Sequence, residues 1–232
     1  MARLAASRLA DRVVVLTERD ADAWRQRFGI GERVCAIWNP IPHFDEKPSP
    51  LDERRKTVLA VGRLTKQKGF DLLLGAWKRL GKVRDGWTLR IVGGGKGEAM
   101  LKQIASEQGI VDSVVFVGQT RAVVQEYRAA SIYVMSSRWE GLPMTLLEAQ
   151  YFGLPSVATD CPTGPREVLA KGSGRLVKSE DPQALADELA ELMANPQEQA
   201  TMARAAQENA RRYRPEGIWQ KWEALFAKIS SD

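Results

Sequence analysis

The sequence carries a single histidine, His43, and two cysteines, Cys35 and Cys161, in 232 residues. One histidine excludes a His-rich metal centre, and the two cysteines lack metal-ligand spacing. Two distant thiols fit a reducing compartment better than a disulfide framework. No apolar run approaches the ~20 residues that a membrane-spanning helix needs. The first ten residues are interrupted by Arg3 and Arg8, which excludes the apolar region of a signal peptide. No block of Lys or Arg is present either. The 34 basic residues are scattered among 29 acidic ones, for a formal net charge of +5. That excess suits an anionic ligand or peripheral contact with a membrane surface, and is weak support for nucleic acid. No internal repeat and no low-complexity segment stand out. The expectation is a cytoplasmic globular protein, 44% hydrophobic and 27% charged, with a real core.

What is present is strand–helix alternation. Residues 2–10 read as a short helix, Arg12 to Leu16 as a buried strand, and Thr17 as the cap of a helix to about Phe28. Val34 to Trp38 is a further strand. One or two strands cannot cover their own edges, so this reads as the last piece of a larger sheet. Asn39-Pro40-Ile41-Pro42, followed by Pro48 and Pro50, has linker composition. From Thr57 strands alternate with helices as far as about Met193. Near-continuous apolar strands in such an order mean a parallel α/β sheet covered on both faces. Ligands of these sheets bind beyond the carboxyl ends of the strands. The tail, from Pro196 to Ile229, reads as two helices whose aromatic stripe (Trp219, Trp222, Leu225, Phe226 and Ile229) packs against the body.

Three strand ends carry chemistry. After Ser131 to Met135 comes Ser136 to Gln150, in which Pro143 suits a first helical turn. The free N–H groups of Met144 and Thr145 then face outward with the positive end of the helix dipole behind them, which attracts phosphate. Glu140 lies just before this helix and Glu148 one turn inside it. An anion cradle with two carboxylates suits a ligand bearing phosphate and hydroxyls, such as a nucleotide-sugar. Alternatively, the two carboxylates merely favour the dipole. The first sheet strand ends in Gly62-Arg63-Leu64-Thr65-Lys66-Gln67-Lys68-Gly69. Gly62 permits close backbone approach, and Arg63 and Lys68 suit phosphate oxygens, although no Walker loop is formed. The second ends in Gly93-Gly94-Gly95-Lys96-Gly97-Glu98, which fails the dinucleotide fingerprint at Glu98 and reads as a flexible turn whose glycines line the cleft. Arg166 and Glu167, at a later helix start, read as local structure.

Taken together, the chain resembles the carboxyl-terminal, donor-binding half of retaining glycosyltransferases of the two-Rossmann-domain (GT-B) type, family 4. The resemblance runs from about Asp11 to the end. It rests on Gly62-Arg63 with Lys68-Gly69, on Glu140 and Glu148 enclosing Gly-Leu-Pro, on Gly153 to Asp160, and on Asn39-Pro40 as the interdomain linker. It implies a Rossmann-like domain over 43–212, a remnant of the acceptor-side domain over 1–42, and a carboxyl-terminal helix over 213–232 packing back toward the amino-terminal part. It implies catalytic roles for Arg63, Lys68 and Glu140. Arg63 and Lys68 would hold the donor diphosphate in place of a metal, with no cofactor, and Glu140 would contact a sugar hydroxyl. Glu148 would hold the ribose. Backbone from Gly141, Leu142, Pro143, Met144 and Thr145 would hold sugar and phosphate, Gly62 would lie against the donor, and Val117 and Gly118 would border the base. It further implies transfer of a hexose or N-acetylhexosamine, from UDP rather than GDP, to a polysaccharide or glycolipid acceptor. His43 follows the linker and does not match the histidine of that family. With most of the first domain outside the sequence, a non-catalytic nucleotide-sugar-binding module that needs a partner chain, or a dimer, is the alternative.

Overall fold

The computed structural model describes residues 9–170 and 172–231, so the expected helix over 2–10 falls almost wholly outside them. Two parallel sheets are formed. The smaller pairs β1 (Val13–Val15) with β2 (Val34–Ala36), and α1 (Glu18–Phe28) packs on it through Ala21, Trp24 and Phe28. Thr17 caps α1 by accepting from the Asp20 N–H at 3.1 Å.

The larger sheet holds β3 (Thr57–Val61), β4 (Thr88–Val92), β5 (Val114–Gly118), β6 (Ile132–Met135), β7 (Ser156–Thr159) and β8 (Arg175–Val177). Their order is β5-β4-β3-β6-β7-β8, all parallel. The chain walks outward from β3 to β5, then returns to lay β6 on the free side of β3. That reversal opens a crevice at the carboxyl ends of β3 and β6.

Side-chain alternation sorts the core into two layers. Val58 and Ala60 point to one face, against α2 (Phe70–Arg79), α3 (Glu98–Glu107) and α7 (Pro182–Ala194), where Leu73, Trp77, Leu101 and Leu189 are buried. Leu59, Tyr133 and Met135 point to the other. There they meet α4 (Val123–Ala129), α5 (Met144–Tyr151) and the end of α8 (Pro196–Ala210). Asp181 caps α7, accepting from the N–H groups of Gln183 and Ala184 at 3.1 and 3.0 Å.

The segment from Trp38 to Arg54 is fastened along its length. The Ile41 N–H donates to the Tyr213 carbonyl at 2.8 Å. Trp38 packs on Tyr213 and lies under the Arg212 guanidinium and the Lys221 ammonium. Arg54 donates to the carbonyls of Phe152 and Gly153, a cation at the carboxyl end of α5. Glu167, on the short α6 (Pro165–Val168), is not a local residue after all. It accepts from the Trp38 indole and from the Glu18 N–H at the start of α1, tying the two sheets together.

The tail departs from expectation. Tyr213 and Ile218 are buried, but α9 (Pro215–Ser231) leaves Trp219 61% and Phe226 58% exposed. After Ile218, Trp222 stacks on Phe226 within the helix, and the Lys221 ammonium reaches back over the Trp38 ring. No described helix is long and apolar enough to cross a membrane.

Backbone packing at Gly69 sets up a contrast in stability. A Cβ there would lie 2.0 Å from the Ser136 carbonyl oxygen, at φ +63°. Gly75, inside α2, has nothing nearer than 3.5 Å. Urea unfolding should show Gly69→Ala losing roughly 2–3 kcal/mol and Gly75→Ala gaining about 0.5–1 kcal/mol. Equal effects of the two would contradict this packing.

Candidate functional site

The loops that follow β3, β4, β6 and β7 are stacked backbone on backbone. Gly93 (φ +131°) sits so that a Cβ would be 2.0 Å from the Gly62 carbonyl oxygen. Gly97 packs on the Leu64 carbonyl and donates to it at 3.0 Å. The glycine run after β4 is therefore a fixed ledge and not a flexible turn. A Cβ on Gly164 would lie 2.1 Å from the Gly141 carbonyl oxygen. Only bare backbone allows these approaches.

Arg63 and Glu148 line one cavity of about 670 Å³ together with Gly62, Gly93, Gly94 and Arg121. That size is ordinary for a small-molecule site. The Arg63 side chain is exposed and makes no hydrogen bond or ion pair among the described residues. Val117 and Gly118 end β5 just short of this wall, which is built by Gln119, Thr120 and Arg121. The sequence reading missed those three, because loop polar residues give no signal until the strand ends are placed side by side.

Glu148 is held from behind. The Tyr127 hydroxyl donates to its Oε2 at 2.7 Å, leaving Oε1 without a partner among the described residues. Burial raises the Glu148 pKa above the ordinary carboxylate value, and the Tyr127 hydrogen bond pulls the other way. Tyr127 and Tyr133 are fully buried and both titrate above the ordinary tyrosine value, chiefly through burial, so they act as neutral donors. Tyr133 donates to Thr145 Oγ1 at 2.9 Å, fixing the first turn of α5. Tyr133 lies in the apolar strand run and Tyr127 within a helix, and neither position shows in the sequence what its hydroxyl will meet.

Lys68 and Glu140 form an ion pair at 2.6 Å, with side chains 15% and 7% exposed. Ser137 Oγ donates to the same Glu140 Oε1 at 2.6 Å, so Oε2 is left without a partner among the described residues. The pair does not line the Arg63–Glu148 cavity but adjoins it. A Cβ on Gly62 would touch the Lys68 methylenes at 3.3 Å. The preceding Arg138 clamps the loop, with paired bonds to Asp71 at 2.8 and 2.7 Å and one to the Lys66 carbonyl. The Arg138 guanidinium holds the Asp71 carboxyl below its ordinary range. Between Arg138 and Glu140, Trp139 projects half exposed.

Pro143 is the residue before α5 rather than within its first turn. Its carbonyl accepts from Leu146 and Leu147 at 3.1 and 3.2 Å. The N–H groups of Gly141, Leu142, Met144 and Thr145 have no acceptor among the described residues. Met144 and Thr145 carry the first two N–H groups of α5, where the helix dipole favours an anion, and Gly141 and Leu142 add two donors on the approach to it.

Comparison with known proteins identifies the family. The model for "Glycosyl transferases group 1" matches residues 43–211, most of the chain. The chain belongs to this glycosyltransferase family. It is 36% identical over 223 residues to the amylovoran biosynthesis glycosyltransferase AmsD of Erwinia amylovora, covering 94% of the chain and 62% of the relative. It is 34% identical over 164 residues to the lipopolysaccharide core mannosyltransferase LpsB of Rhizobium meliloti, covering 66% of the chain and 46% of that protein. Anabaena HepE, solved in complex with UDP, superposes with a TM-score of 0.85 at 25% identity over 96% of the chain and 65% of its own. Staphylococcus aureus TarM superposes at 0.87 with 24% identity, covering 96% of the chain and 45% of TarM, which supports the GT-B fold. The family chain described here spans about three fifths of the length of AmsD.

Burial of Glu148 has a consequence for stability. Between the ordinary carboxylate pKa and its raised folded value, the folded state binds more protons than the unfolded state. Stability therefore falls as pH rises through that window and stays lower above it. Ligand-free Glu148→Gln, which keeps an oxygen for Tyr127, should melt higher than the parent at pH 7. The difference should vanish below about pH 4, under the ordinary glutamate pKa. Thermal melts from pH 3.5 to 8 check both the sign and the window.

Proposed function

We propose that this chain binds the nucleotide-sugar donor of a retaining hexosyl or N-acetylhexosaminyl transfer, with UDP as nucleotide and a polysaccharide or glycolipid as acceptor. The observation that carries the reading is one cavity that brings the unpaired Arg63 to Glu148 and is adjoined by the Lys68–Glu140 pair, with one oxygen of each carboxylate open and four free backbone donors on the stretch between the two glutamates. A diphosphate needs the first set, and sugar and ribose hydroxyls need the second. The family membership, and the presence of AmsD and LpsB among the relatives, support transfer to surface glycans. HepE is solved with UDP, which supports that nucleotide.

In this reading the leaving diphosphate lies against the amide donors from Gly141 to Thr145. Arg63 and Lys68 neutralise the charge that grows on it as the glycosidic bond breaks. No metal is required, because two cations and a helix start supply that field. Lys68 is held ready by Glu140, whose free Oε2 accepts from a sugar hydroxyl. Glu148 Oε1 accepts from the ribose, steadied by Tyr127. Retention follows if the acceptor attacks from the face the diphosphate leaves. Removing one such charge contact costs roughly 2.7–4 kcal/mol of barrier.

A second reading is a binding half that turns over only with a partner chain. It is favoured by the two-stranded β1–β2 sheet and by the exposed aromatics of α9, surfaces that ordinarily are covered. Release of sugar from UDP-sugars by the chain alone separates the two readings, since both bind donor.

UDP should raise the melting temperature in proportion to the logarithm of its concentration. Arg63→Ala, Lys68→Ala and Glu148→Ala should each weaken UDP at least about tenfold, equivalent to 1.4 kcal/mol. Calorimetric titration of the parent and variants measures it. Parent-like affinity in all three would remove the donor assignment.

A further inference from the structure

Beyond the carboxyl end of α5, one turn past Glu148, lies a second cavity of about 600 Å³. Its walls come from two chain segments that run side by side, the one after Trp38 and the one joining α8 to α9. The end of α5 closes it. The floor is aromatic. Phe44 packs against Tyr151 and Phe152 with ring centroids 5.0 Å apart in each case. The rim is cationic. Lys47, Arg211 and Arg214 line it, with Glu216 as the one carboxylate in the lining. Lys47 and Arg214 make no side-chain ion pair or hydrogen bond among the described residues, and Arg211 meets only Glu208, one turn back at 2.9 Å. The Tyr151 hydroxyl is likewise without a partner.

Unpaired cations facing an aromatic floor across a cavity of ligand size suit an anion with a flat or apolar body. We propose that this cavity is a second ligand site, separate from the donor cavity, for a phosphate ester whose organic part rests on Phe44 and Tyr151. Its phosphate bridges Lys47 on one segment to Arg214 on the other. Among the described backbone groups, the Ile41 N–H to Tyr213 carbonyl bond joins these segments directly. A bound ester therefore adds a clamp where the β1–β2 unit is fastened to the large sheet. The same chemistry is offered by a soluble phosphate ester and by a phospholipid headgroup with the start of its chains.

The site is tested on the intact chain with phenyl phosphate as the soluble probe, and with vesicles of phosphatidylcholine containing phosphatidylglycerol as the lipid probe. Backbone amide NMR shifts locate phenyl phosphate, and co-sedimentation reads vesicle binding. Expected is saturable phenyl phosphate binding with shifts over residues 41–48 and 207–216. Lys47→Ala and Arg214→Ala should each weaken it at least tenfold while leaving UDP titrations as in the parent. Vesicle binding lost in the same two variants would identify the lipid as the ligand's source, and its absence beside phenyl phosphate binding would identify a soluble ester. Neither probe binding, shifts confined to the Arg63–Glu148 cavity, or variants that bind both probes like the parent would overturn the proposal. Because the UDP titration is read separately, failure here does not touch the donor assignment, nor the reverse.

Discussion

The structure depends on close contact between backbones at the carboxyl ends of β3, β4, β6 and β7. Gly93 rests on the carbonyl of Gly62, Gly69 on that of Ser136, and Gly164 on that of Gly141. These contacts hold the loops at separations that any side chain would force apart. Hydroxyl-to-carbonyl bonds reinforce them, from Ser136 to Lys68 and from Thr159 to Ser137. Loops in such sheets ordinarily carry function because they vary and move. Here the loop backbones are packed directly on one another, as a site made of amide N–H groups would require. An N–H that wanders by an ångström no longer aims at an anion.

Within that frame, each carboxylate is half used. Glu140 gives one oxygen to Lys68 and Ser137, and Glu148 gives one to Tyr127. The internal bonds fix orientation and the remaining oxygens stay open to a ligand. Tyr127 can do this only because burial keeps its hydroxyl protonated. The cost is desolvation of Glu148, which the protein carries as a local loss of stability above the carboxylate pKa. Local instability of this kind is common where binding groups must be preorganised.

The opposite end of α5 is organised by different physics. Arg54 sits on its last carbonyls, and the chain after Trp38 lies along Tyr213 and Phe152. Glu167 reaches from the large sheet to the start of α1 and to Trp38. Three fastenings therefore hold the small β1–β2 unit: a carboxylate at a helix start, a tryptophan under two cations, and one backbone bond. Beside these polar and aromatic contacts, Leu16 and Ile41 pack on the core of the large sheet, while Ala21, Ile30 and Val34 form a separate small core. Joints of that kind set an orientation without merging two units into one.

Most of the architecture was legible in the sequence. Strand and helix order, the parallel class, the cap at Thr17, and the crevice at the strand ends all follow from local patterns that short-range physics enforces. Arg63, Lys68, Glu140 and Glu148 could be singled out because each lies where a strand hands over to a helix. What the sequence could not settle was partnership. Lys68 with Glu140, Tyr127 with Glu148, and Glu167 with Trp38 join residues 21 to 129 positions apart. Nothing in a linear pattern says which polar end will face which. The exposure of Trp219 and Phe226 was missed for the same reason. An amphipathic stripe announces that a helix has an apolar face, but only the placement of the whole chain decides whether anything lies against it.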